Sequence, residues 1–191
     1  ELSRGNWMRI ISMMVETPVG KVELLASDRG LCRVLLPGQS IEDGPAWMCG
    51  SCSVRGTNTV LKLANGQFSS YFEENLPNGF DLSLDLKGSS IQQQVWNHLA
   101  CIPYGTVVSY QEIASSIDRP KSVRAVGAAI RANPLPIVLP CHRVIGSNKE
   151  MVGFSGGLDM KITLLKLEGL EIRRDRTNKP EKFFVRGCSK R

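Results

Sequence analysis

No apolar run in this chain approaches the roughly 20 residues that a helix needs to cross a bilayer. The first 30 residues interrupt every short apolar piece with Arg4, Arg9, Glu16, Lys21, Glu23 or Asp28, so neither a membrane span nor a signal peptide is read there. Histidine is scarce, with only His98 and His142, and Cys49-x-x-Cys52 has no second CxxC to complete a zinc set. The pair reads as two cysteines in a Gly/Ser-rich loop, and a structural zinc is left open by the missing ligands. Six cysteines in 191 residues do not make a stapled secreted domain. Reduced thiols in an intracellular compartment are expected, the nucleus in a eukaryote and the cytoplasm otherwise.

What is present is ordinary globular composition, 42% hydrophobic and 22% charged, in a length that holds one large domain or two small ones. Charge is unevenly placed. Residues 1–172 carry 16 Lys+Arg against 16 Asp+Glu, and the whole net charge of +6 resides in a basic tail, Arg173 to Arg191. Residues 119–149 hold Arg119, Lys121, Arg124, Arg131, Arg143 and Lys149 without one acid. Such a local positive field suits a polyanion, although a solvated face would look the same.

The first half reads as strands and turns: Arg9 to Val15, Gly20 to Ser27 and Leu31 to Leu36, broken by Pro18, Gly30 and Pro37. Residues 37–56 read as loop. Thr59 to Glu74 spaces Val60, Leu61, Leu63, Ala64, Phe68 and Tyr71 as a helix, and Phe80 to Leu86 alternates as a half-buried strand. A domain of residues 1–88 is expected to end near Gly88, followed by a domain of 89–172 and the tail of 173–191. In the second domain Ser90 stands three before Gln93, and Ser109 three before Glu112, both with capping-box spacing. Ser122 is placed to cap a third helix running to about Ala132. The second and third helices read as helix-turn-helix. Arg124, Gly127, Ala128 and Arg131 share the outward face of the third helix, where small side chains permit close approach to a groove and the arginines reach phosphates. Helix packing over Gly127 and Ala128 is the competing reading.

Three prolines at 134, 136 and 140 predict a stiff, extended, buried segment that presents Cys141. A thiol beside His142 can ionise more readily, and the thiolate is the nucleophile. Glu168 closes the last helix of the domain, where a carboxylate opposes the helix dipole and calls for a cationic or imidazole partner. His142 is the natural candidate, giving nucleophile, base and orienting acid, although a solvated surface carboxylate and an incidental Cys-His neighbour pair would read the same in sequence.

Pro140-Cys141-His142-Arg143-Val144, preceded by Arg124-Ala125-Val126-Gly127 and Asn133-Pro134 and followed by Ser155-Gly156-Gly157 and Leu167-Glu168-Gly169, closely resembles the O6-alkylguanine-DNA alkyltransferases. The resemblance spans about residues 90–170. It implies an α+β chain: a small N-terminal sheet-and-helix, RNase H-like domain, then a mainly helical, winged helix-turn-helix domain. It also implies direct, irreversible, single-turnover transfer of an alkyl group from O6 of guanine in double-stranded DNA to Cys141, by a monomer that needs no cofactor. His142 would be the water-mediated base, Glu168 its orienting partner, Asn133 a brace of the turn, and Tyr110 a neighbour of the departing base. Arg124 would fill the gap left by the flipped nucleotide, and Gln111, Ser147 and Arg131 would meet the DNA backbone. Val144, Phe154, Ser155 and Gly156 would line the pocket, with Phe154 standing where many relatives have Tyr. Two rival classes remain: a non-enzymatic helix-turn-helix regulator, and a thiol hydrolase using Cys141 and His142.

Overall fold

The computed structural model describes residues 9–43, 53–73, 76, 78–175 and 182–186. Two compact units divide the chain, one holding residues up to Glu73 together with Phe80–Leu86, the other holding residues from Lys87 onward. The architecture is mixed α and β.

In the first unit, strands β1 (Ile10–Thr17), β2 (Gly20–Ala26), β3 (Leu31–Leu35) and β4 (Ser53–Arg55) form a sheet of order β3-β2-β1-β4. Neighbours are antiparallel except β1 and β4, which run parallel. β4 falls in a segment expected as loop, because three residues are too few to show a period. Helix α1 (Thr59–Phe72) is capped by Asn58, whose side chain accepts from the Leu61 amide at 2.8 Å. It lies against β1, β2 and β3 and buries Leu61, Ala64, Phe68 and Tyr71 of the spaced set, whereas Val60 is half-buried and Leu63, off the face those four share, is exposed. Phe80 adds its ring at 5.2 Å from Phe68.

Phe80 to Leu86 is not the expected regular strand. It meets β3 through one parallel bridge, Leu31 to Leu84, with the Leu31 amide donating to the Ser83 carbonyl at 2.8 Å and the Asp85 amide to Leu31 at 2.9 Å. On the polar side of the alternation Asp81 and Ser83 are exposed as expected, but Asp85 is not. Asp85 is buried and accepts from the Ser27 hydroxyl at 2.7 Å. Only glycine fits at position 30, because a Cβ there would collide with the Ser83 carbonyl.

In the second unit, helix α2 (Ser90–Ala100) begins one residue away from the predicted cap. Ser89, not Ser90, forms the capping box, with Gln92 in place of Gln93. The doublet Ser89-Ser90 before Gln92-Gln93 offers the same spacing twice, so the sequence alone leaves the register undecided. β5 (Val108–Ser109) leads into α3 (Tyr110–Ser116), where Ser109 and Glu112 do form the predicted box. α4 (Val123–Arg131) follows; Ser122 occupies its N-cap position but its side chain makes no capping bond. The Trp96 indole donates to the Ala129 carbonyl at 2.9 Å and fastens α2 to α4.

The segment 133–140 is compact rather than extended. It folds into consecutive turns, with the Leu139 amide bonded to Leu135 at 2.8 Å and Ile137 at φ +75°, and it delivers Cys141–Arg143 as a single 3-10 turn. The prolines exclude regular helix as expected, but a turn satisfies the buried backbone groups that an extended strand would leave unpaired. β6 (Val144–Ile145) then pairs in parallel with β5, α5 (Gly157–Leu167) follows, and β7 (Glu171–Asp175) and β8 (Lys182–Arg186) form an antiparallel hairpin. The described part of the expected basic tail is therefore ordered β-structure. No helix among the described residues is long and apolar enough to cross a membrane.

Candidate active site

The β5–β6 pairing sets Val108 beside Val144 and so draws the start of α3 toward the turn that carries Cys141. Between them opens a cavity of about 880 Å³, lined by Tyr110 from α3, Arg124, Gly127, Ala128 and Arg131 from α4, Cys141, and the Val152–Ser155 wall. The α4 side is as the pattern implied: Arg124, Ala128 and Arg131 are exposed and Gly127 half-buried, while Val126, Ala129 and Ile130 face the interior. A Cβ on Gly127 would lie 3.9 Å from the Tyr110 ring, so that ring passes directly over the helix backbone.

Behind the cavity lies a buried polar network. His142 Nε2 donates to Glu168 Oε1 at 2.7 Å, the partnership predicted from the position of Glu168 at the C-cap of α5. The network has a member the sequence reading missed. Arg143 grips the same carboxylate with two bonds, Nε to Oε2 at 2.8 Å and Nη2 to Oε1 at 2.9 Å, and sends Nη1 to the Ile102 carbonyl at 2.5 Å. The Gly105 amide adds a donor to Oε2 at 3.3 Å. Expected in the positive patch of residues 119–149, Arg143 is instead 5% exposed and belongs to the interior. Nothing in its neighbourhood in sequence distinguishes it from the exposed Arg124.

Lys161 is the second omission. It is fully buried, and its ammonium donates to the Val144 carbonyl at 2.6 Å and the Val152 carbonyl at 2.9 Å, tying the strand after the cysteine to the cavity wall. Its signal was a lysine on the helix face shared by Leu158, Leu164 and Leu165. Asn133 donates to the Leu139 carbonyl at 2.8 Å and accepts from the Leu135 amide at 2.9 Å, which closes the turn that ends at Cys141. Phe154 stands edge-on to the His142 ring, centroids 6.3 Å apart.

The electrostatics follow from burial. Desolvation pushes the Cys141 thiol up, and the Asn133 hydrogen bond and the Lys161 charge pull the other way without reversing it, so the ready ionisation expected beside an imidazole is absent here. Burial holds His142 below its ordinary range although Glu168 opposes this, leaving a neutral imidazole able to accept a proton at neutral pH. Burial alone would raise Glu168; the hydrogen bonds and charges of His142 and Arg143 outweigh it and hold the carboxyl at about 2. Burial lowers Lys161 to about 8 and raises the Tyr110 hydroxyl. The arrangement thus keeps a thiol at rest beside a proton acceptor whose orientation is fixed by a permanently charged carboxylate.

Residues 90–170 match the family described as 6-O-methylguanine DNA methyltransferase, DNA binding domain. The chain is 39% identical over 162 residues to the methylated-DNA--protein-cysteine methyltransferase of Methanosarcina barkeri, spanning 84% of this chain and 98% of that one. Its counterpart from Mycolicibacterium paratuberculosis is 41% identical over 155 residues, 81% of this chain and 89% of the relative. The crystal structure of Mycobacterium tuberculosis OGT in complex with DNA is similar with a TM-score of 0.72 at 35% identity, covering 84% of this chain and 92% of that chain. The chain belongs to the methylated-DNA--protein-cysteine methyltransferase family.

In this family member, the cavity and the network behind it both fall inside the matched segment, and β7–β8 lie beyond its end. Some expected site residues stand apart from the cavity. The Gln111 side chain is exposed and donates to the Pro120 carbonyl at 3.0 Å. Ser147 is exposed in the turn after β6, Val144 is fully buried behind the cavity, and Gly156 is the N-cap of α5. Among the described residues no cluster of three or more His, Cys, Asp or Glu is placed to hold a metal; Cys49, Cys52 and Cys188 lie outside them.

Proposed function

We propose that this chain repairs DNA by transferring the alkyl group of O6-alkylguanine directly to Cys141, once per molecule. The observation that carries the proposal is the placement of Cys141 on the cavity with a buried His142–Glu168 pair behind it. O6 of guanine is inside the stacked duplex, so the nucleotide must leave the stack to reach this sulfur, at a cost of a few kcal/mol. Arg124, exposed on α4 at the mouth of the cavity, is suited to fill the vacated place. Gly127 and Ala128 bring the helix close, Arg131 meets phosphate, and Gln111 and Ser147 contact the strand backbone. Such contacts are blind to sequence, as a lesion beside any neighbour demands.

In the step itself the thiol proton passes to His142 through a bridging water, because Nε2 is committed to Glu168 and the exchange falls to Nδ1. The Sγ–carbon bond forms as the carbon–O6 bond breaks, the Tyr110 hydroxyl donates a hydrogen bond to the departing base, and guanine leaves with the proton that His142 took from the thiol. Asn133 and Lys161 stabilise the transient thiolate. Electrons and atoms balance without a cofactor, and any zinc would serve the fold. The product thioether has no route back, which makes the protein a reagent rather than a recycling catalyst. The first unit is read as the RNase H-like domain of the family, α3–α4 with the β5–β6 turn as a winged helix-turn-helix, and the protein as an intracellular monomer.

Intact-mass measurement after incubation with duplex DNA bearing O6-methylguanine tests this. One methyl in place of hydrogen on Cys141, absent in Cys141→Ala, is expected. Binding that is sequence-selective and unaffected by Cys141→Ala, with no mass gain, would establish the regulator instead. Sustained turnover of an ester or amide would establish the hydrolase.

A further inference from the structure

The hairpin β7–β8 begins at Glu171, just past the matched segment, yet it is bound to the part of the second unit that forms the cavity wall. The Met151 amide donates to the Phe183 carbonyl at 2.8 Å, and the Val185 amide donates to the Lys149 carbonyl at 3.1 Å. Lys182 pairs with the Glu150 carboxylate at 3.1 Å. Val185 and Phe183 of β8 and Ile172 of β7 pack with Met151, Ile145 and Leu165. Residues 149–151 are thus held against β8 through a single antiparallel bridge, Glu150 to Phe184, and the next residues, Val152 to Ser155, are the wall of the Cys141 cavity. Without that hold, the stretch from Gly146 to Gly157 would be a loop with four glycines, fastened at Val152 by Lys161.

We infer that β7–β8 is a positioning element of the alkyl pocket: by clamping residues 149–151 it fixes how far the Val152–Ser155 wall can withdraw from Cys141, and so selects against bulky alkyl groups. This rests on the alkyl-transfer reading above. A small group reacts fast only when the wall confines it near the sulfur, and misplacement of about 1 Å can cost on the order of a hundredfold. A large group needs the wall to yield. The hairpin is therefore a determinant of the ratio between the two rates, beyond any stability it adds.

Val185→Pro is the direct test. The Val185 amide points to Lys149 and not to β7, so proline removes a bond to the loop while sparing the ladder of the hairpin. Single-turnover transfer is measured in the full chain from duplexes bearing O6-methylguanine or O6-benzylguanine, per folded molecule as scored by thermal melting. The methyl rate should fall by about tenfold and the benzyl-to-methyl ratio should rise about threefold or more. Phe183→Ala, which removes the ring from the cluster without touching the backbone, should shift the ratio in the same direction and carries the test alone if the proline variant does not fold. Wild-type protein that transfers neither group overturns the proposed function. Wild-type protein that transfers both, with a ratio unchanged in the folded variants, overturns the brace; so does a uniform loss on both substrates that tracks DNA affinity, which would make the hairpin a phosphate-binding arm.

Discussion

The two units bury different things. The first hides Ile10, Val22, Leu24, Leu25 and Leu61 completely, and among its described residues the buried polar side chains are Ser12, Ser27 and Asp85. The second hides His142 and Lys161 completely and leaves Arg143 and Glu168 at 5% and 4% exposure. Burying charge costs several kcal/mol per ion, and even a well-made pair seldom outperforms the apolar packing it displaces. Stability alone would therefore have favoured the first composition in both places. The second unit carries four ionisable groups in one interior because their positions matter to the sulfur at the cavity, and the difference between the interiors marks the site without reference to any motif.

The largest effects expected are those that break this contrast. Removing the central carboxylate with Glu168→Ala leaves Arg143 and His142 buried without their acceptor and should cost about 3–5 kcal/mol of stability. Phe68→Ala in the first unit should cost a similar amount, about 3–5 kcal/mol, through a cavity. Repair separates them: the folded fraction of Glu168→Ala should lose transfer by two or more orders of magnitude, since the imidazole loses both its orientation and its stabilising charge (on the order of 10²–10⁴ for such a base). The folded fraction of Phe68→Ala should keep the wild-type rate. Acid titration gives the same answer more gently. Glu168 is held at about 2 against an ordinary 4.5, so its contribution is complete above 4.5 and is lost as pH falls toward and through 2. Denaturant melts between those limits should show a slope in the wild type that is missing in Glu168→Gln. An equal slope in both would remove the carboxylate from the account of stability.

A smaller effect sharpens the comparison within the second unit itself, between two arginines. Arg143 is inside and makes three hydrogen bonds; Arg124 is outside at the edge of the cavity. Arg124→Ala should leave stability within about 0.5 kcal/mol of wild type. Repair in duplex DNA should slow on the order of tenfold, because about 1.4 kcal/mol of the unstacking cost is no longer offset. Reaction with free O6-benzylguanine, which needs no extrusion, should be unchanged. Equal losses on both substrates would assign Arg124 to the pocket rather than to the vacated stack.

That pair also shows where the sequence is legible and where it is silent. Residue type, local breakers and helix position only singled out Cys141, His142 and Glu168; their roles were legible through the resemblance of the whole motif set from Arg124 to Gly169, and the α4 face was readable from its period. Arg143 and Lys161 were not, since a charge in sequence looks alike whether it meets water or a carbonyl 2.6 Å away. The segment 133–140 was correctly denied a helix, but proline content does not choose between an extended strand and a string of turns; the need to pair buried backbone groups chose. β7–β8 was hidden for a related reason. Phe183 and Val185 do stand at strand spacing, and Ile172 alone marks β7, but Arg173, Arg174, Lys182 and Arg186 around them give the stretch the composition of a solvated arm. Asp85 misled in the opposite direction, its polarity suggesting a solvent face that the Ser27 hydroxyl makes unnecessary.

The smallest effect decides between two adjacent serines that are indistinguishable by type, spacing or exposure. Both stand exposed at the start of α2, and each has a glutamine three residues on. The Ser89 hydroxyl accepts from the Gln92 amide at 3.4 Å, while the Gln92 side chain accepts from the Ser89 amide at 2.8 Å. Ser89→Ala should therefore cost about 1 kcal/mol, seen as a lowered thermal midpoint. Ser90, already inside the first turn, should tolerate alanine with no loss, because alanine is the better helix former there. Because α2 is fastened to α4 through Trp96 and Ala129, the Ser89 variant also asks whether the start of α2 matters to the cavity face of α4. An unaltered duplex repair rate at the lowered midpoint would confine its contribution to stability.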